Sequence, residues 1–313
     1  MKIFHSYKKF KSLKKGSAVT IGTFDGLHIG HKKILHQLKA YSEKYNLDAV
    51  VFTLFPHPRM VLQKDDSLKL LNTIDERIAL LEEAGIDCLV IEPFSKEFSR
   101  LSAFDFINDV LVNHLHMRLL IVGYDHQFGK NREGKFEHLK EYKTLFNYEL
   151  KQIAQQDIDD VAVSSTKIRM ALTDGNINTA NKYLGYNYML SGTVVKGQGL
   201  GKRLNYPTIN LHIEETYKLI PKTGVYVVKT NINKQTVFGI MNIGYRPTVA
   251  GTHQTIETYL LDFNGDLYNQ KLKIHLLNRL RDEQKFASLD LLKTQIETDA
   301  LNARKYIDSI SKK

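Results

Sequence analysis

The chain has 313 residues, 42% hydrophobic and 25% charged, a composition that suits two globular domains with real cores. A single cysteine, Cys88, excludes a disulfide framework and a cysteine-rich zinc site, and its scarcity suits a reducing cytoplasm. Net charge is +10, spread unevenly: residues 1–183 carry 26 Lys+Arg against 23 Asp+Glu, residues 184–313 carry 18 against 11. A basic balance suits polyanionic ligands such as nucleotides, nucleic acid or acidic membrane, and it also serves solubility. No apolar run reaches transmembrane length, and the lysine-rich start has no apolar core of signal-peptide length.

In chain order, the six lysines among the first 15 residues read as a solvated terminus beside a first strand. "AVTIG" (18–22) is a buried strand, and "HKKILHQLKAYSEKY" has helical spacing at Ile34, Leu35, Leu38 and Tyr41. "DAVVFTLF" (48–55) is the next strand. "TIDERIALLEEAG" is a helix with Thr73 as N-cap, Glu76 three residues on, and Gly85 at its end. "CLVIEPF" (88–94) is a strand, "SAFDFINDVLVNHL" a helix and "RLLIVG" (118–123) another strand. This alternation implies a doubly wound parallel sheet, whose ligands bind beyond the carboxyl ends of the strands. "TIGTFDG", "LFPHPR" and "IVGYDHQFG" all lie there.

From about Met189 the pattern changes to short β-rich runs: "MLSGTVVKG", "GVYVVKTNI", "TVFGIMNIG", "IETYLLDF" and "KLKIHLL". Turn residues separate them, which indicates an antiparallel barrel or sandwich. Leu289, Leu292, Ile296, Ala300, Ala303 and Ile307 form one apolar stripe, so the chain closes with an amphipathic helix packed on the barrel. The expected domains are 1–185 and 186–313.

"GTFDGLHIGH" (22–31) places a glycine-bearing turn between a strand and a helix that starts near Gly30. A helix start presents free N–H groups and a positive dipole end, which suits phosphates. His28 and His31 read as turn caps, as metal ligands or as donors to a nucleotide. The HExxH spacing is absent and no cysteine lies nearby to complete a metal site. "HIGH" also marks class I aminoacyl-tRNA synthetases, but their KMSKS-type partner motif is missing. In its place "SSTKIR" (164–169) opens a predicted helix with hydroxyls, Lys167 and Arg169.

In order and spacing, "GTFDGLHIGH", "FPHPR", "GYDHQFG" and "SSTKIR" resemble the FMN adenylyltransferase module of bacterial riboflavin kinase/FAD synthetases, over about residues 15–185. The resemblance implies a Rossmann-like α/β domain of the HxGH nucleotidyltransferase type. In it His28 and His31 stabilise the ATP phosphates while the FMN phosphate attacks the α-phosphorus. Ser164, Thr166 and Arg169 hold the triphosphate, Arg169 among the catalytic set. Gly22, Phe24 and Asp25 shape the nucleotide pocket; His57, Pro58 and Asp125 lie on the flavin side. His126-Gln127 departs from the aromatic and basic pair usual there.

"GTVVKGQGLGKRLNYPTIN" (192–210) is glycine-rich but fits neither GxxxxGK[ST] nor GxGxxG. Thr208 and Asn210 alternate on an extended segment and offer hard oxygen atoms of the kind Mg²⁺ prefers; read alone, they fit a Pro-led edge strand with two outward polar residues better. Glu257 points opposite to Thr258 on its strand, as a general base could. Together with "GVY", "NIGYRPT", "IETYLLDF" and "LRDEQKFASLDLLKTQI", this stretch resembles the riboflavin kinase module of the same family over about 188–310. Asn205 and Ile209 depart from the usual glycine and alanine. The resemblance implies a β-barrel with a terminal helix, Mg²⁺-ATP on Thr208 and Asn210, and Glu257 as base on the riboflavin 5′-hydroxyl. Gly197, Gly199, Gly201 and Lys202 close over phosphates, and Arg281 and the C-terminal helix flank the flavin.

The expected function is therefore riboflavin to FMN and FMN to FAD, each with ATP and Mg²⁺, in the cytoplasm. One active module alone, or a basic nucleic-acid-binding protein with an HxGH-like domain, are the alternatives. The latter lacks an aromatic-basic RNA-binding signature, and nothing in the sequence points to a membrane partner or sets the oligomeric state.

Overall fold

The computed structural model describes residues 1–63, 67–123, 128–130, 133–153, 163–197, 201, 206–248 and 251–311. By their contacts they form two units, Met1–Ser165 and Thr166–Lys313.

The first unit is built on a parallel sheet of β1 (Lys2–Phe4), β2 (Ser17–Ile21), β3 (Asp48–Phe55), β4 (Cys88–Pro93), β5 (Met117–Gly123) and β6 (Glu149–Ile153), in the order β1-β4-β3-β2-β5-β6. The order reverses at β2, which lies between β3 and β5. Gly22 N–H donates to Phe52 O at 3.1 Å, so the "GTFDG" turn leaves the sheet at this switch point. Apolar runs such as Ala49–Phe52 and Leu89–Ile91 are buried because helices cover both faces of a parallel sheet. Each valine, leucine, isoleucine and phenylalanine among them contributes about 1.5–3 kcal/mol on burial. Two strands went unread in the sequence: the three-residue β1 pairs with β4, and β6 pairs with β5.

Helix α1 (Ile29–Lys44) follows the histidine motif, and a one-turn helix α2 (Pro58–Leu62) follows β3. Helix α3 (Ile74–Glu83) carries the expected capping box: Glu76 N–H donates to Thr73 Oγ1 and Thr73 N–H to Glu76 Oε2, both at 3.1 Å. Gly85 leaves the helix at φ +75°. The expected helix after Ser102 begins as one α turn, α4 (Ala103–Asp105), then widens into π-type turns over Phe106–His114. The wider pitch suits the spacing of four and five between Phe106, Val110, Leu111 and Leu115, all buried on one face. Helix α5 (Phe136–Phe146) precedes β6.

The second unit opens with most of α6 (Ser165–Thr173) and with α7 (Ile177–Leu184). Its barrel is closed in the order β10-β11-β8-β7-β12-β9, all neighbours antiparallel. The strands are β7 (Met189–Val195), β8 (Thr208–His212), β9 (Gly224–Ile232), β10 (Gln235–Thr248), β11 (Gly251–Leu260) and β12 (Lys271–Arg281). Closure buries every strand edge, and β8 is an inner member rather than a Pro-led edge. Helices α6 and α7 bind this barrel: Lys222 N–H donates to Leu172 O at 3.0 Å and Asn181 Nδ2 to Leu276 O at 2.9 Å. The contact division therefore falls earlier in the chain than residue 185.

The terminal helix α8 (Leu289–Ser311) packs Ala303, Ala300, Tyr306 and Ile307 on Val225, Val227, Ile240 and Leu277. The apolar stripe holds except at Leu289, which is 52% exposed because it is the helix's first residue. Asp299 sits within the buried face instead.

Candidate active sites

At the switch point, His28 is the N-cap of α1, and its Nδ1 accepts from His31 N–H at 3.3 Å. A neutral ring that accepts at Nδ1 carries its proton on Nε2, the atom left to donate to a ligand. The His28 and His31 rings stack at 3.7 Å and 16°, and Phe24 meets His31 edge-on at 5.1 Å. The turn that delivers them is unusual: Phe24 (φ 48°), Gly26 (φ 86°) and Leu27 (φ 35°) all adopt left-handed backbone. For Phe24 and Leu27 such strain persists only when the surroundings over-determine it.

Asp25 supplies that restraint. It is buried, and its carboxylate accepts from Leu71 N–H at 2.9 Å and Asn72 N–H at 3.3 Å. The equally buried Arg77 of α3 approaches it at 4.0 Å, and Ser165 Oγ donates to Asp25 O at 2.8 Å. Removing one partner of a buried ion pair costs about 3–5 kcal/mol, so Asp25 and Arg77 fix the turn beneath the histidines. Sequence reading missed Arg77 and Ser165. The signal for Arg77 was a charge at i−3 and i−4 from Leu80 and Leu81, on the apolar face of α3.

Burial holds both imidazoles neutral. The ring of His28 falls from 6.5 to about 4, mainly by desolvation and against the pull of Asp25. His31 falls well below its usual value by desolvation, His28 and Arg77. Its Nδ1 is buried without a hydrogen-bond partner among the described residues. Between pH 6.5 and 4 the unfolded chain binds a proton that folded His28 refuses, so stability falls as pH falls through this window. The His28 share is about 3 kcal/mol. Urea unfolding should show a shallower acid loss for His28→Gln than for the wild type; equal slopes would contradict this account.

The neighbouring strand-end loops lie at the same sheet edge. His57 caps α2, its Nδ1 accepting from Arg59 N–H at 3.2 Å, and Pro58 is the first helical residue. Asp125 and the His126-Gln127 pair lie outside the described residues, just past β5. Ser164 is exposed immediately before α6; Thr166 and Arg169 follow on that helix, in the second unit.

In the barrel, Glu257 pairs across the ladder with Asn210 and, as expected, points opposite to the buried Thr258. Thr208 Oγ1 donates to Glu257 Oε2 at 3.5 Å. Both line a cavity of about 300 Å³ with Asn242, Tyr259, Arg281 and Phe286. The adjoining glycines leave space for these polar groups. A Cβ at Gly197 would overlap the Asn210 carboxamide, and one at Gly201 would lie 3.2 Å from Thr208 Oγ1. Gly197→Ala should therefore displace the Asn210 carboxamide while the fold survives, and an Asn210 side-chain amide resonance that does not shift would contradict this packing. Gly199 and Lys202 lie outside the described residues.

Glu283 was not anticipated. It lines the same cavity and occupies the space a side chain at Gly244 would need. Hard neutral oxygens on Thr208 and Asn210 beside a carboxylate fit Mg²⁺, which keeps few protein ligands and takes the rest from phosphates and water. Among the described residues no cluster of three or more His, Cys, Asp or Glu side chains could hold a metal by itself.

Family models for FAD synthetase and riboflavin kinase match residues 10–167 and 184–307 respectively. The bifunctional riboflavin kinase/FMN adenylyltransferase of Escherichia coli (strain K12) is 37% identical over 294 residues, 94% of this chain and 93% of that protein. The chain belongs to the bifunctional riboflavin kinase/FMN adenylyltransferase family. Another relative in that family, from Haemophilus influenzae, is 33% identical across 99% of this chain and all of its own length. A crystal structure described as a macrolide-efflux protein from Streptococcus pneumoniae, 29% identical, superposes with a TM-score of 0.85 over 96% of this chain and 98% of its own. Among the described residues of this chain, no helix is long and apolar enough to cross a membrane.

Proposed function

We propose that the first unit joins ATP to FMN, giving FAD and pyrophosphate, and that the barrel phosphorylates riboflavin with ATP, giving FMN and ADP. The observation that carries this reading is the presence, in one member of the family, of two separate polar sites. One is a stacked histidine pair at a sheet switch point, the other a carboxylate-lined barrel cavity.

Adenylyl transfer asks the protein mainly for positioning and charge stabilisation. Neutral His28 and His31 donate N–H bonds to the phosphate oxygens as charge shifts to pyrophosphate. The α1 N-terminus adds its dipole. Gly22 lets the chain turn at the sheet edge, and Phe24 and Asp25 hold the histidines in register. Ser164, Thr166 and Arg169 are assigned to the triphosphate, and His57, Pro58 and Asp125 to the flavin side.

In the barrel, Glu257 accepts the proton of the riboflavin 5′-hydroxyl as it attacks the γ-phosphorus. Thr208 and Asn210 hold Mg²⁺, which neutralises phosphate charge when bound. Gly197, Gly199, Gly201 and Lys202 border the phosphates, and Arg281 borders the flavin. The modules assigned are 1–185 and 186–313, acting in the cytoplasm on small molecules.

Separate assays with purified protein test the two steps. FMN plus Mg-ATP should give FAD, riboflavin plus Mg-ATP should give FMN, and a chelator should abolish the second. Failure of either step alone would reduce the chain to one active module.

A further inference from the structure

Arg281 ends β12 and lines the barrel cavity, and its orientation is set from outside the barrel. The carboxylate of Asp299, on α8, takes Arg281 Nε at 3.0 and 3.1 Å and Nη2 at 2.7 Å. Asp299 is itself held: Gln295 Nε2, one turn earlier, donates to Oδ1 at 3.0 Å, and the Asp299 side chain is only 5% exposed. Arg281 Nη1 donates to Asp282 O at 3.0 Å, and the Phe286 ring lies 5.8 Å from the guanidinium carbon. The fork is thus fixed along one edge by a carboxylate and flanked by an aromatic ring. Of its five N–H groups, three are engaged by these partners. One N–H on each terminal nitrogen is left for acceptor atoms of a ligand.

A buried acid on the helix stripe between Ile296 and Ala303 has no packing reason to be there. An apolar side chain would serve the barrel contact better, since burying a charge costs free energy unless it is paired. The bidentate geometry gives Asp299 its reason: it holds the guanidinium plane in one orientation, which a flexible arginine does not keep unaided. We propose that Asp299 is a positioning residue of the kinase site, presenting Arg281 to the acceptor atoms of riboflavin. This rests on the kinase reading above.

Asp299→Asn, Arg281→Lys and the double variant test it through riboflavin phosphorylation rates and riboflavin fluorescence titration. Asp299→Asn should raise the KM and the Kd for riboflavin about tenfold, with kcat within about twofold of wild type. Arg281→Lys, which keeps the charge but loses the fork, should do the same. The double variant should be no worse than the worse single variant, because both remove one unit. Multiplying effects, or a KM within about twofold of wild type for Asp299→Asn, would overturn the proposal. If Asp299→Asn loses its melting transition, Gln295→Met removes only one tether, and an unchanged KM there would count against the proposal. Absence of FMN formation by the wild type would sink the kinase reading itself, and the fluorescence titration would still decide whether Asp299 governs riboflavin binding.

Discussion

Glu257→Gln should lower FMN formation from riboflavin by about 10²–10⁴-fold, the usual range for removing a general base. The change is nearly isosteric. The amide can still accept from Thr208 Oγ1, which lies 3.5 Å from the carboxylate in the wild type, so the cavity should keep its shape. What is lost is the ability to take a proton from an attacking hydroxyl. Accordingly kcat should fall while the KM for riboflavin stays near its wild-type value. FAD formation from supplied FMN should be unchanged, since that step is assigned to the other unit. The check is a pair of assays on one preparation. A drop confined to KM would make Glu257 a binding residue, and loss of both activities would contradict separate sites.

His31→Ala should act the other way, lowering FAD formation from FMN by about 10²–10³-fold, the scale of losing one preorganised donor to developing charge. Riboflavin phosphorylation should persist at wild-type rate. The ring is stacked on His28 and flanked edge-on by Phe24, so its removal also frees His28 to move. His31→Gln tests that second effect: a restored polar group without the aromatic stack should recover only part of the rate. Equal FAD formation by His31→Ala and wild type would remove the histidine pair from the mechanism.

Much of this architecture was legible because the local signals agreed with the global fold. "DAVVFTLF" reads as a strand and forms β3 over the same residues, and Thr73 and Glu76 announce the capping box that the structure contains. Five of the six barrel strands followed from turn chemistry and short β-rich runs, and β8 lies on the segment read only as extended around Thr208 and Asn210. Other features had no local signature. β1 is three residues long and exists only because β4 offers it an edge. The widening of the helix at Phe106 has no local signature, because apolar residues four apart also fit an α-helix. Arg77 and Asp299 went unread, though each falls on an apolar helix face. Their meaning lies in partners distant in sequence: Asp25 is 52 residues from Arg77, and Arg281 is 18 residues from Asp299. Of the candidate site residues, the histidines and Glu257 stand where strand-end and alternation rules put them. Asp25 proved a buried brace for the turn.

The central claim is that one chain carries riboflavin through FMN to FAD. The most direct measurement is a chromatographic time course after riboflavin and Mg-ATP are mixed with the purified protein. FMN should appear first, and FAD should follow at its expense until the flavin is consumed. FMN that accumulates without any FAD, or riboflavin that stays unchanged, would contradict the account.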